Sequence, residues 1–141
     1  MGEKTEAKRY VLDSFALFAH FEHEAGGPVV QAILARARRA RAEIYLSIIN
    51  LGEAAYITER EQGLTAAEKL IAAVDQLPIQ IVDADRRHTF AAAHLKARYP
   101  IAYADAFALS LAVERDAMLV SGDPEFHSVG SLVPMVWLPR T

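Results

Sequence analysis

The chain has 141 residues, 52% of them hydrophobic and 23% charged, which suits one domain with a continuous core and excludes a disordered chain. It has no cysteine, which removes disulfide frameworks, thiolate zinc sites, iron–sulfur clusters and cysteine nucleophiles together. The 15 basic and 18 acidic side chains give a formal charge of -3, so any contact with nucleic acid has to run through a local patch or through metal ions.

Met1 to Arg9 mixes both charge signs and lacks the apolar run of a signal peptide. No apolar stretch reaches the about 18 residues of a membrane span. A soluble cytoplasmic protein without membrane partners is the expectation, and the missing cysteines suit a reducing compartment.

In chain order, Arg9 to Leu12 reads as a first strand. A helix follows from Ser14 to Glu24 and stops at Gly26-Gly27-Pro28. Residues 28–41 form a second helix rich in Ala and Arg, and Glu43 to Ser47 a second strand. Asn50 opens a helix to Gln62, with Gly63 as its stop. Thr65-Ala66-Ala67-Glu68 has the spacing of a capping box for the next helix. Ile79 to Val82 is a third strand after Pro78. Helices at 83–98 and 103–115 part at Tyr99-Pro100. Ala117 to Ser121 and Met135 to Leu138 are the last two strands. Strands that are near-continuous apolar runs, separated by helices, predict a mostly parallel sheet of about five strands covered on both faces, a three-layer α/β/α domain. In such sheets ligands bind beyond the carboxyl ends of the strands.

Four carboxylates fall near that edge. Asp13 follows the first strand and Asp123 the fourth. Glu53 and Asp105 sit in the first turns of helices. Without counter-charge, converging carboxylates would repel and raise each other's pKa, an arrangement that makes chemical sense around a hard divalent cation such as Mg²⁺. Each acid also has a plain structural reading. Asp13 before Ser14 and Asp123 before Pro124 suit N-caps, Asn50 to Glu53 has capping-box spacing, and Asp105 suits a helix dipole. Asp83 and Asp85, after the third strand, have the same look and are assigned to capping or solvent, so position at a strand end is not sufficient.

The flanks add weight. Tyr10-Val11-Leu12-Asp13-Ser14-Phe15-Ala16-Leu17, Ser47-Ile48-Ile49-Asn50-Leu51-Gly52-Glu53, Tyr103-Ala104-Asp105-Ala106-Phe107-Ala108-Leu109-Ser110-Leu111-Ala112 and Leu119-Val120-Ser121-Gly122-Asp123-Pro124-Glu125-Phe126 resemble, in order and spacing, the motifs of PIN domains. The resemblance covers nearly the whole chain, 1–141, and is closest in style to VapC-type toxins of toxin–antitoxin pairs. It implies a PIN-like fold and a divalent-metal-dependent endoribonuclease, the toxin of a type II toxin–antitoxin pair. It makes Asp13, Glu53, Asp105 and Asp123 the catalytic, metal-binding quartet for Mg²⁺ or Mn²⁺, with Ser14 and Ser121 as supporting hydroxyls. RNA as substrate, a small antitoxin as partner and a homodimer are further implications. A PIN-like scaffold that binds RNA or protein without cutting, and a PIN nuclease that processes RNA without being a toxin, are the alternatives.

Other features bear two readings. Arg36, Arg38, Arg39 and Arg41 could meet RNA phosphates, or could be a solvated helix face. Arg86, Arg87, Lys96 and Arg98 form a sparser basic candidate. His20 and His23 share a helix face but lack any metal-binding pattern. Phe15, Phe18 and Phe21 form a stripe that reads as core or as an interface groove, and Trp137 reads as core. No Gly-x-Ser-x-Gly elbow, no Gly-x-Gly-x-x-Gly, no Asp-x-Asp motif after the first strand and no receiver-type lysine supports a different enzyme class.

Overall fold

The computed structural model describes residues 7–140, so most of the charged N-terminal stretch read above lies outside the described residues. Its elements in order are β1 (Lys8–Leu12), α1 (Ser14–Phe21), α2 (Gly27–Arg38), β2 (Ala42–Ser47), α3 (Ile48–Gln62), α4 (Leu64–Asp75), β3 (Gln80–Val82), α5 (Arg86–Arg98), α6 (Tyr103–Arg115), β4 (Met118–Ser121), a 3-10 helix (Pro124–Val129) and β5 (Met135–Trp137).

The strands form one sheet in the order β3-β2-β1-β4-β5. Every neighbouring pair is parallel, so the sheet is wholly rather than mostly parallel. Alternate residues of the strands feed two cores. Leu12, Leu46 and Val120 join α1 to α4 on one face, whereas Val11, Tyr45 and Leu119 join α5, α6 and the 3-10 helix on the other. Strands sandwiched this way have no solvent face, which is why they lack polar alternation. From β1 the chain proceeds to β2 on one side, while β4 lies on the other. The strand order therefore changes direction between β1 and β4, where a ligand crevice opens in this class of sheet.

Several element ends differ from the sequence reading. Helix α3 starts two residues early, because the Ser47 hydroxyl accepts from the Ile49 N–H and takes the N-cap; Asn50 is therefore inside the helix. The Thr65–Glu68 capping box does not form: α4 begins at Leu64 directly on Gly63, whose φ of 96° lets one residue end α3 and start α4. Helix α1 ends at Phe21 and α2 at Arg38, with left-handed His23 and Ala40 turning the chain after them. Asp85 caps α5 by accepting from the His88 N–H, so this helix starts at Arg86. Trp137 is not in the core: it ends the edge strand β5 with 40% of its surface exposed. Among the described residues no helix is long and apolar enough to cross a membrane.

Candidate functional site

The four sequence-selected carboxylates meet beyond the carboxyl edge of the sheet. Asp13, Glu53, Asp105 and Asp123 line one open cavity of about 350 Å³ together with Ser14, Phe15, Phe18, Ile57, Ala102 and Glu125. Among the described residues no Lys, Arg or His belongs to that lining.

Asp13 leaves β1 and caps α1, its Oδ1 accepting from the Ala16 N–H at 3.0 Å. The N-cap expected for Asp13 forms, and the same carboxylate lines the cavity. It is almost fully buried, and burial pushes its pKa up from 3.8 to about 7. The Ser121 hydroxyl and the Ala16 N–H oppose that rise, while Asp123 and Glu53 add to it. Asp105 sits in the first turn of α6, also buried. Its carboxyl is pushed well above the usual range, first by burial and then by Asp123 and Asp13, with a hydrogen bond to Asp123 further favouring its protonated form. Asp123 caps the 3-10 helix through the Glu125 N–H at 2.9 Å, and its own N–H donates to the Ser121 hydroxyl at 3.0 Å. Glu53, one turn into α3, accepts a short hydrogen bond from the Ser14 hydroxyl. Both serines singled out by sequence thus touch the carboxylates.

Sequence reasoning missed Glu125 as a site residue. One carboxylate oxygen each of Asp105, Asp123 and Glu125 lies within 4.8 Å of the others, a spacing that could hold a metal ion. Glu125 also accepts from the Ala102 N–H at 2.9 Å, which pins it against the start of α6. The available signal was its place two residues after Asp123 in the fourth motif, masked by Pro124, which made the stretch read as a helix start.

The basic run lies elsewhere. Arg36 and Arg38 end α2, and Arg39 and Arg41 lead into β2, so all four stand at the amino edge of the sheet. The six residues of β2 separate that edge from Ser47, about 20 Å in an extended strand. Arg36 donates to the Tyr10 hydroxyl at 3.0 Å, which anchors one of the four. Arg87 pairs with Glu114 and Arg86 lies over the Phe90 ring. Phe15, Phe18 and Phe21 are partly buried against the core, and Phe15 and Phe18 reach the cavity.

Hard oxygen donors at this spacing, crowded by like charge and without a neighbouring protein cation, fit a divalent ion such as Mg²⁺ or Mn²⁺. Asp105, Asp123 and Glu125 would hold it most directly, with Asp13 and Glu53 within the same cavity.

Comparison with known proteins agrees with this architecture. The chain resembles VapBC2 from Rickettsia felis bound to a promoter DNA fragment (TM-score 0.71, 18% identity, covering 93% of this chain and 99% of that one). It also resembles DNA-bound VapBC from Salmonella typhimurium (TM-score 0.72, 14% identity, covering 92% and 97%). A third similar structure is VapC20 of Mycobacterium tuberculosis, a sarcin–ricin loop cleaving toxin (TM-score 0.66, 16% identity, covering 87% and 95%). No curated protein matches the sequence. The PIN domain model matches residues 10–132, a span that contains every carboxylate of the cavity, and the chain accordingly belongs to the PIN domain family.

Proposed function

We propose that this protein is a divalent-metal-dependent endoribonuclease and the toxin of a toxin–antitoxin pair. The carrying observation is the convergence of Asp13, Glu53, Asp105, Asp123 and Glu125 on one cation-free cavity in a PIN fold. The similar structures from Rickettsia felis and Salmonella typhimurium are VapBC complexes, and the one from Mycobacterium tuberculosis is a toxin that cleaves the sarcin–ricin loop, which supports RNA as substrate and an antitoxin as partner.

Bound Mg²⁺ or Mn²⁺ would supply electrostatic stabilisation of phosphodiester charge and an activated water. The chain's own residues then have separate roles. Asp105, Asp123 and Glu125 would hold the ion. Asp13, fixed by the Ala16 N–H and the Ser121 hydroxyl, would add a further carboxylate to the ion's surroundings from the end of β1. Glu53 faces the cavity from α3, oriented by Ser14, and is placed to accept a proton from the attacking water. The Arg36–Arg41 run, at the far edge, enters only as a distal contact for RNA that extends beyond the site.

The antitoxin reading has its own surface. Phe15, Phe18 and Ile57 continue from the cavity into a groove of about 330 Å³ rimmed by Glu22, Glu24 and Glu61. We propose that the antitoxin lays an apolar segment there and sends a basic side chain to the carboxylates. Alanine at that basic side chain should then restore cleavage to the complex. A homodimer is the expected assembly of the toxin, to be read by light scattering.

The decisive experiment is RNA cleavage by the pure protein with Mg²⁺, with Mn²⁺ and with EDTA, beside Asp13→Asn and Asp105→Asn. Asn caps helices about as well as Asp, so the Asp13→Asn variant keeps its fold while losing charge. Metal-dependent cleavage that both substitutions abolish is expected; cleavage undiminished in both overturns the proposal.

A further inference from the structure

We infer that the stacked rings of His127 and Trp137 form a platform for one unpaired nucleobase of the RNA, beside the carboxylate cavity; the inference rests on the ribonuclease reading above. Trp137 is the sole tryptophan of the chain and ends an edge strand with 40% of its surface exposed. The imidazole of His127 stacks on it, ring centroids 4.2 Å apart and planes 16° from parallel. His127 is itself exposed. Two exposed rings stacked on each other bury little apolar surface and so contribute little to folding.

Their placement ties them to the site. Trp137 is the register partner of Ser121 on β4. Register partners of a parallel pair point to the same face, so the indole stands one strand beyond the hydroxyl that bonds Asp13 and Asp123. Asp13 follows Leu12, the partner of Val120, and so lies level with Ser121. Trp137 is thus two strand spacings from Asp13, about 10 Å, along one row of the sheet. His127 belongs to the 3-10 helix that Asp123 caps and that carries Glu125. Both rings are therefore held by elements that also carry carboxylates.

The chemistry suits the charge of this chain. The four-arginine run stands at the opposite edge of the sheet, and the cavity lining has no cation, so phosphate contacts at the site are scarce. A base stacked on an aromatic ring adds affinity without positive charge and without sequence selection, about 1–3 kcal/mol per base. A platform on the row of the carboxylates would hold a nucleotide neighbouring the scissile bond and so fix the register of the strand in the cavity.

The sole tryptophan makes a direct test available. The Asp105→Asn protein, unable to cut, is titrated with Mg²⁺, a short oligouridylate and, separately, an abasic oligonucleotide of the same length. Saturable quenching of indole fluorescence by the oligouridylate and not by the abasic strand is expected. That readout needs no cleavage, so it stands or falls apart from the nuclease reading. In the cutting protein, Trp137→Ala should raise KM about five-fold to about a hundred-fold, with a smaller effect on kcat. Trp137→Phe, which keeps a ring and guards against misfolding, should recover most of that loss, and His127→Ala should give a partial loss. Equal quenching by both strands, or none, overturns the platform. So does a KM unmoved by Trp137→Ala, including the case where that variant changes only self-association or antitoxin binding.

Discussion

The side-chain amide of Asn50 donates to the carbonyl oxygen of Ala104 at 3.1 Å, joining α3 to α6 beside the two helix-borne carboxylates, Glu53 and Asp105. Asn50 is fully buried, and its Oδ1 has no partner among the described residues. The bond therefore fixes the spacing of two site elements at the cost of one unsatisfied carbonyl. Asn50→Ala should destabilise the protein by about 1–3 kcal/mol in urea unfolding and lower kcat more than it raises KM. Asn50→Leu, which removes the orphan acceptor while keeping volume, should cost less stability yet impair kcat as much. Normal kcat in both variants would show that the bond does not position the site.

Stability of the metal-free protein should fall as pH rises from about 4 to about 7. Asp13 has a folded pKa of about 7 against an unfolded value of 3.8, so the folded state binds more protons in that window. For one such proton the slope approaches about 1.4 kcal/mol per pH unit. Asp105, also raised by burial and by Asp123, acts in the same sense. His20, pushed below 6.5 by its burial, acts oppositely as pH rises toward 6.5, so the informative quantity is the difference between wild type and Asp13→Asn. Thermal melts at pH 5, 6 and 7 should show wild type lose stability relative to Asp13→Asn as pH rises. The rise in melting temperature produced by millimolar Mg²⁺ should grow over the same range, because the ligands must be ionised.

Gly122 stands between the two polar residues that end β4 and enter the site. A Cβ there would lie 2.4 Å from Cζ of Phe15 and 2.8 Å from the backbone oxygen of Leu138. The ring could turn aside, but the Leu138 oxygen is backbone, and Leu138 donates its N–H to Ser121. Gly122→Ala should cost about 1–3 kcal/mol by overpacking and should displace Asp123, weakening Mn²⁺ binding in a calorimetric titration. Full stability in this variant would mean that the strand end yields more readily than its contacts imply.

Ser14→Ala removes the donor that orients Glu53. Losing one hydrogen bond to a charged acceptor is worth about 1.5–3 kcal/mol, so kcat should fall at least about tenfold if the bond is formed in the reacting complex. The melting temperature should change little, since Ser14 is only half-buried and the helix cap is Asp13 rather than Ser14. An unchanged rate would assign Glu53 an orientation set by its helix alone.

The sheet was readable because its strands are unbroken apolar runs with helices between them, and that pattern has few alternatives. The four carboxylates were readable because their flanking motifs resemble those of PIN domains; position alone did not separate them from Asp83 and Asp85, and Glu53 lies one turn inside α3 rather than at its start. Local ends were harder. Asn50 looked like a cap, yet Ser47, at the end of β2, was nearer the turn and took that position. The Thr65 box failed because Gly63 reversed the chain before Thr65 was reached. Glu125 was hidden for a physical reason: only the tight turn after Pro124 brings its carboxylate to Asp105, and spacing cannot convey that. Trp137 was assigned to the core because an aromatic residue in a strand usually is, but the strand proved to be the uncovered margin of the sheet.

Strand order carries a consequence for synthesis. The central strand β1 is bordered on one side by β4, and Tyr10 waits for Met118, more than a hundred residues later, before that side is complete. Asp123 and Glu125 arrive later still. A chain made only as far as α6 therefore has a half-built sheet and only part of the carboxylate cavity. Long-range pairing of this kind closes slowly and late. Under the ribonuclease proposal, this strand order would leave the carboxylate cavity incomplete until β4 and the 3-10 helix have been made.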